Sequence, residues 1–480
     1  MDWGRWGWVG ALVWVLAACG DDGPTADGGP ESGTASTDAT PATAGTDGST
    51  DGADTTAGDD TGSPAARPNW HEDIAPLVVE HCTTCHSGGG IAPFPLATYE
   101  QSGPIAEVMA LQAEAGLMPP WHALETEECT PPAPFEHDAR LPPDQIQLLR
   151  DWADANAPEG DPALAAPLPD PPSYDLEDTT ATAAMTGSIT IQPEGSALDF
   201  FHCLSLDPGN TEDVYIDGMQ VIPGNPAIAH HVLIYVDTNA TSASWPGGVN
   251  LDCGGGAGVG GALLVGGWVP GSLPTTTPPG VGIRLPAGAR LIFNMHYHAV
   301  VTGAEVDDGT ALALRWQSTP PEYVSEFRLV GAPGDGALTT APFSIPANAS
   351  GHQEVVEWEI PNLAGTDVRL WSVVNHMHKV GVDMKSSVLR GDTEHCLVQT
   401  PRWDFNWQRF YEYDVPIDQA FQFQDGDVMR VRCTYDNTLK NPAVVQALGE
   451  VGLDEPQTVQ LGEGTLDEMC LAGIGVAVRQ

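Results

Sequence analysis

Positive charge is what this chain has least of. Lysine and arginine number 18 against 65 aspartates and glutamates, a formal charge of −47 over 480 residues. No basic stripe gathers the few cations and nothing resembles an RNA-binding motif, which argues against nucleic acid as a partner. A membrane-spanning run is missing as well. The apolar stretch Trp6–Ala18, behind the single Arg5, is shorter than the roughly 20 residues that a bilayer-crossing helix needs. It reads as a secretory signal peptide over 1–18. From Gly20 to Arg67 there is no aromatic residue and almost no aliphatic one; Asp, Gly, Ser, Thr, Ala and Pro make up the stretch. Such a composition buries too little apolar surface to offset the entropy of ordering, so 19–67 is expected to be a disordered acidic tether.

The signal ends in Leu16-Ala-Ala-Cys19, which resembles a bacterial lipobox and implies cleavage before Cys19 with lipid on its thiol. Gly20, not Asp, follows the cysteine, so the inner-membrane retention signal of that class is absent at this position. The expected address is an exported bacterial lipoprotein anchored to the outer membrane, on its periplasmic or cell-surface face. A signal peptide with an incidental cysteine is the alternative.

Composition turns globular at Asn69, and the run to Glu80 leads into His81-Cys-Thr-Thr-Cys-His86. C-x-x-C-H is the attachment signature of c-type haem: Cys82 and Cys85 add to the porphyrin vinyl groups and His86 is presented to the iron. A redox or zinc C-x-x-C is the alternative, opposed by the following histidine, the export signal and the lack of a βαβ pattern. For the second axial ligand, Met118 in Gly116-Leu-Met-Pro-Pro-Trp121 leads, with His122 and Met109 behind it. Met109 lies in a predicted helix, Ile105 to Ala115, and is better placed as core. A His/Met pair suits electron transfer. A second predicted helix, Asp144 to Ala157, puts Ile146, Leu149, Trp152 and Ala153 on one face. The segment 68–161 resembles a small all-α class I cytochrome c domain. After a Pro/Ala-rich linker, 162–186, short β-rich runs with Gly/Pro turns take over: Ser188–Ile191, Val232–Val236, Arg290–Phe293, Ala311–Arg315, Glu354–Ile360, Val368–Val374, Val428–Cys433 and Leu471–Val478. That spacing predicts antiparallel β-sandwiches, and the length predicts two of them.

Within this β-rich half lie paired histidines. His376 and His378, in Trp371-Ser-Val-Val-Asn-His-Met-His-Lys379, share one face if the stretch is a strand, and two imidazoles on one face can chelate a metal. An ordinary pair of surface histidines is the alternative reading. His230-His231, His296 and Met469 supply further ligand groups. Imidazole suits zinc, copper, iron or nickel, and an added thioether favours copper as Cu(I).

From about Phe200 onward the motifs Phe201-His-Cys203, His230-His-Val232, Gly280-Val-Gly-Ile283, His296-Tyr-His298, His376-Met-His378, Cys433-Thr-Tyr-Asp436 and Asp467-Glu-Met-Cys470 follow one another. In that order they resemble the copper type II ascorbate-dependent monooxygenases, the family of the peptidylglycine alpha-hydroxylating and dopamine beta-monooxygenases. The resemblance implies two jelly-roll-like antiparallel β-sandwiches, 187–320 and 321–480, with an open cleft between them and two copper ions. His230, His231 and His296 would hold the electron-transfer copper; His376, His378 and Met469 would hold the catalytic, O2-binding one. Adjacent residues on a flat strand point to opposite faces, so His230 and His231 can share a metal only if the backbone bends. His298 is expected to be an outer-shell residue; His202, His352 and His395 fall in no ligand motif.

The resemblance also implies a Cys433–Cys470 disulfide. With Cys19, Cys82 and Cys85 assigned, Cys203–Cys253 and, by elimination, Cys129–Cys396 complete the nine cysteines in an oxidising compartment. Its implied activity is hydroxylation of a C–H bond of a small organic substrate by O2, with ascorbate or another donor supplying electrons. The haem module departs from the family and suggests a relay to the three-histidine copper. The peptide-amidating relatives carry an arginine two residues before the HxH pair and a tyrosine four after the methionine. Val374 and Gly473 stand there, which points away from peptide amidation and toward a more apolar or smaller substrate. Two other classes stay open: a copper/haem electron carrier or copper-handling lipoprotein, and a surface binding module.

Overall fold

The computed structural model describes residues 67–480 apart from 89–91, 93, 171–174, 195–198, 301–302, 332–337, 340–341 and 463–465. The signal peptide, Cys19 and the tether up to residue 66 lie outside the described residues. What is described is mostly β-sheet with a few short helices. No helix among the described residues is long and apolar enough to cross a membrane.

A π-helical turn, Trp70–Ile74, opens the helical part, its first turn capped by Asn69, whose side chain accepts from the Glu72 N–H at 3.0 Å. It runs into α1 (Ala75–His81), followed by α2 (Ala106–Glu114) and α3 (Pro143–Asp154). Trp70, Ile74, Val78, Ala110, Leu149 and Trp152 form a small core between them, against which Ile146, Ala153 and Met109 pack. The stretch after Pro119 leaves this core. Trp121, Ala123 and Phe135 belong to the C-terminal β core instead, where Trp121 meets Tyr411 edge-on at 5.2 Å and Phe135 lies 4.9 Å from Tyr413. The Leu124 N–H bonds the Gln399 carbonyl at 3.0 Å, which ties this stretch to the C-terminal part of the chain. Residues 68–161 are therefore divided between two cores.

The principal strands are β1 (Asp199–Leu206), β2 (Val214–Ile222), β3 (Ala229–Asp237), β4 (Leu263–Trp268), β5 (Val281–Leu285), β6 (Arg290–His298), β7 (Ala311–Gln317), β8 (Tyr323–Val330), β9 (Ser350–Glu359), β10 (Val368–His376), β11 (Gly381–Arg390), β12 (Thr393–Thr400), β13 (Val428–Asp436) and β14 (Leu471–Arg479). A nine-stranded sheet contains the continuous path β7-β2-β5-β8-β14-β10, with short strands at its ends. A five-stranded sheet holds β1-β6-β3-β4 and another holds β9-β13-β11-β12. The first packs on the β2, β5 and β7 end of the large sheet around Leu206, Ile216, Ile234, Phe293 and Leu312. The second packs on the β10 and β14 end around Leu370, Val388, Met429, Val431 and Ile474. Strict alternation along β13 shows the one-sided burial that such layers need. The halves read as dividing near Pro320 share the large sheet, because β8 pairs parallel with β5 on one edge and antiparallel with β14 on the other. A helix at Pro442–Glu450, not read from sequence, precedes the last strand.

Among the described residues three disulfides staple the layers: Cys433–Cys470, Cys203–Cys253 and Cys129–Cys396, the last spanning 267 residues between the segment that joins α2 to α3 and β12.

Candidate metal centre

His231 on β3 lies opposite His296 on β6, but Tyr297 pairs with Ala229. His230 is thus the extra residue of a β-bulge, and the bulge supplies the bend that lets two consecutive histidines turn the same way. The Nδ1 atoms of His230 and His231 are 3.1 Å apart, those of His231 and His296 3.2 Å. One ligand nitrogen from each of the three lies within 4.8 Å of the others. Three nitrogens bound at about 2.0 Å around a tetrahedral ion would lie roughly 3.3 Å apart, so the trio fits a metal closely. Phe201, the β1 partner of His296, stacks on its ring at 4.5 Å and 9° and fixes its plane. His298 is not part of this cluster; its N–H bonds the Ile228 carbonyl at 2.8 Å.

The second pair straddles a strand end. β10 stops at His376 and His378 sits in the following turn, not on the strand, with the rings 5.2 Å apart and nearly perpendicular. His376 Nδ1 lies 2.6 Å from Gln408 Oε1, and the Gln408 amide nitrogen donates to the Phe405 carbonyl, which orients the amide. His378 Nδ1 lies 3.0 Å from the Asp467 carbonyl. Both partners are acceptors, so Nδ1 carries the proton in each ring and Nε2 keeps its lone pair for a metal. Burial holds both imidazoles neutral, His378 at about 3 with the neighbouring His376 adding to the effect, and His376 also below its ordinary value. Glu468, fully buried, accepts from the backbone N–H of His378, of Met469 at 2.8 Å and of Val380 at 3.1 Å. Its carboxylate therefore ties the histidine turn to the residue bearing the thioether, and burial pushes its carboxyl up to about 8 against those bonds. The Met469 carbonyl accepts from Tyr435 Oη at 2.9 Å and Cys470 is bridged to β13. Two imidazole nitrogens suit a copper ion, and the Met469 backbone is tied to the same carboxylate as that of His378.

Sequence reasoning missed Gln408 and Glu468. Glu468 had a signal, an acid beside a methionine just before an apolar strand; Gln408 lies in the aromatic stretch Trp403–Tyr413, whose fold back onto β10 is a tertiary fact.

In the helical part, α1 ends at His81 and the thiols of Cys82 and Cys85 are free and half-buried. Burial pushes the Cys82 thiol up to about 12 and raises that of Cys85, the latter opposed by Arg409. His86 Nδ1 lies 2.9 Å from the Phe94 carbonyl, which leaves Nε2 as the lone-pair nitrogen. Phe94, Val108, Leu111, Leu117 and Met118 keep their apolar side chains exposed in this part of the chain. His122 is turned to the Arg402 carbonyl at 2.7 Å. Across from the motif, a Cβ at Gly271 would stand 3.0 Å from Cys85 Sγ, so the turn after β4 touches the cysteine. Of the remaining histidines, His202 bonds the Leu251 carbonyl, His352 pairs with Glu354 at 2.9 Å, and His395 packs beside Phe421.

Residues 347–474 match the family model described as "Copper type II ascorbate-dependent monooxygenase, C-terminal domain", a range that includes His376, His378, Cys433, Met469 and Cys470. Residues 347–474 of this chain are thus similar to the C-terminal domain of a copper monooxygenase family. A comparison with curated proteins found no match. Among solved structures, allantoicase is similar at 9% identity over 49% of this chain and 77% of that one, with a TM-score of 0.16. The CBM22-1-CBM22-2 tandem domain from Paenibacillus barcinonensis Xyn10C is similar at 11% identity over 62% and 94%, also at 0.16. At TM-scores this low neither likeness bears on fold or function.

Proposed function

We propose that this chain is a copper-dependent monooxygenase that hydroxylates a C–H bond of a small organic substrate with O2. His230, His231 and His296 would hold one copper, and His376, His378 and Met469 the catalytic one. The observation that carries the reading is the preparation of both imidazole sets for one ion each: three facing Nδ1 atoms in the first, and two Nδ1–H groups tied back to acceptors in the second. Bound copper would supply one-electron redox chemistry and O2 activation. The chain's own residues hold the rings of His376 and His378 neutral, aim their Nε2 atoms away from Gln408 and Asp467, and tie the Met469 backbone to that of His378 through Glu468. The reaction balances as R–H + O2 + 2 electrons + 2 protons giving R–OH + H2O.

The electrons come from ascorbate or another one-electron reductant, directly or through one haem c attached at Cys82 and Cys85, with His86 and Met118 as axial ligands. Support for the haem is the pair of unbridged thiols, the tied Nδ1 of His86 and the exposed apolar side chain of Met118. Support for a relay is the contact of Cys85 with the turn after β4, since Trp268 at the end of β4 pairs with Val232, next to His231. In this reading 68–161 is the haem-bearing module and 187–320 and 321–480 carry one copper each. The lipobox ending at Cys19 and the three disulfides support an exported, membrane-anchored lipoprotein.

The test is isotope incorporation. With ascorbate and a hydroxylated product in hand, heavy-isotope O2 should place one labelled oxygen in that product, and His376→Ala should abolish it. Label arriving from water instead of O2 contradicts the reading.

A further inference from the structure

Beside His376 the large sheet carries a floor without charge. β8, β14 and β10 lie side by side, with Leu329 opposite Gly473 and Gly473 opposite Val374. One row toward Phe327 the partners are Phe327, Gly475 and Ser372; one row the other way Leu471 faces His376. Cross-strand partners share a face, and so do residues two apart on one strand, so Val374, Phe327, Leu329 and Leu471 stand on the side of the sheet that bears His376. Two of the three positions along the middle strand are glycine, and the neighbours lean over them. The Phe327 ring and Val374 Cγ1, the latter at 2.6 Å, occupy the place of a Cβ at Gly473.

The floor continues toward the other histidine set. Phe410 lies 5.6 Å from the Phe327 ring and 2.6 Å from where a Cβ at Gly267 would stand. Gly267 pairs with Leu233, two residues from His231. An apolar strip thus runs from the strand of the three-histidine cluster to the strand of His376. Its members are half-buried, and Leu329 remains 41% exposed. Charge is turned away from it. Glu326 and Arg328 alternate onto the opposite face of β8, paired with Val476 and Ile474, and Arg409 beside Phe410 sits over the Trp121 ring at 5.1 Å. Among the described residues, none of the cations in these rows of the strands faces this floor to meet a carboxylate, within a chain of net charge −47.

Resting on the reading of His376 as a ligand of the oxygenase site, we infer that this strip is the substrate-binding surface. It takes a neutral, largely apolar molecule, an alkyl or alkyl-aromatic compound, and rejects carboxylates. No side chain on it can form the ion pair that an acid or a peptide C-terminus would need.

The experiment is calorimetric titration of the full chain with 2-phenylethanol, 3-phenylpropan-1-ol, 4-phenylbutan-1-ol and 4-phenylbutanoate. Copper content is measured on the same samples. Each added methylene should tighten binding about fourfold, the equivalent of ~0.8 kcal/mol per buried CH2. The carboxylate should bind at least about tenfold more weakly than its alcohol counterpart. Val374→Arg should reverse that order, and Leu329→Arg, at an exposed position that tolerates the change, should do so in part. A flat methylene series, a carboxylate that binds as tightly as the alcohol, absence of binding, or an order unchanged in both variants overturns the inference. Alcohol binding to protein that takes up no copper upholds the apolar floor and sinks the oxygenase. Copper at both sites with no alcohol binding does the reverse.

Discussion

Gln408 offers the sharpest perturbation of the second histidine set, because it touches His376 without being a metal ligand. Its Oε1 stands 2.6 Å from His376 Nδ1, and its amide nitrogen is spent on the Phe405 carbonyl. Gln408→Ala leaves that ring free to rotate and a donor without its acceptor at a site shielded from water, a loss of about 1–3 kcal/mol. Removing a partner that holds a metal-bound imidazole typically lowers metal affinity about 10- to 100-fold, or ~1.4–2.7 kcal/mol. Titration of the Cu(I)-loaded chain with a competing chelator should therefore show one copper weakened by that factor and one unchanged. Gln408→Glu, which keeps an acceptor, should restore most of the affinity. If Gln408→Ala leaves both coppers at wild-type affinity, or weakens the three-histidine copper instead, the assignment of Gln408 to the His376 site is wrong.

Breaking the Cys129–Cys396 bridge as a double serine variant opens a 267-residue loop and should cost about 2–5 kcal/mol in urea unfolding under non-reducing conditions. Arg402→Gln removes the guanidinium contacts to the Ala115 and Gly116 carbonyls at 2.6 and 3.2 Å. At that exposed position the loss should be on the order of 1 kcal/mol, read as faster proteolytic nicking near Leu117. Burial pushes the Glu412 carboxyl up to about 7 from 4.5, with Arg409 opposing. The folded state then holds a proton that the unfolded chain has released, so this contribution is full below about pH 4.5 and lost as pH rises through 7. The stability lost should reach at most about 1.4 kcal/mol per pH unit, and Glu412→Gln should flatten the slope measured by chemical denaturation. Phe201→Ala removes the ring stacked on His296 at 4.5 Å and should weaken the three-histidine copper alone, several-fold in the same chelator titration.

Local pattern carried much of the architecture. Val428–Cys433 alternates as a half-buried strand must, and both it and the apolar run Leu471–Val478 lie in strands. The buried face of α3 was equally legible, because it depends on spacing along one element. What escaped depends on contacts between distant segments. No periodicity announces that β8 joins two halves by pairing with β5 and β14, since β5 and β14 lie almost two hundred residues apart in the chain. The bulge at His230 was recognisable only as a requirement, a bend that two adjacent ligands would need, and the pairing of Tyr297 with Ala229 meets it. Trp121 and Phe135 read as part of the helical segment, yet their rings fill the C-terminal core beside Tyr411 and Tyr413. His378 was expected on the strand with His376 and sits two residues past the strand's end, held by Glu468 and the Asp467 carbonyl.

The central claim is that two separate histidine sets each hold a copper ion, and copper stoichiometry addresses it most directly. Elemental analysis of the full chain after reconstitution, alongside its haem content, should give two coppers per chain, falling to one in His231→Ala and to one in His378→Ala. A chain that binds no copper, or that keeps two in both variants, contradicts the account.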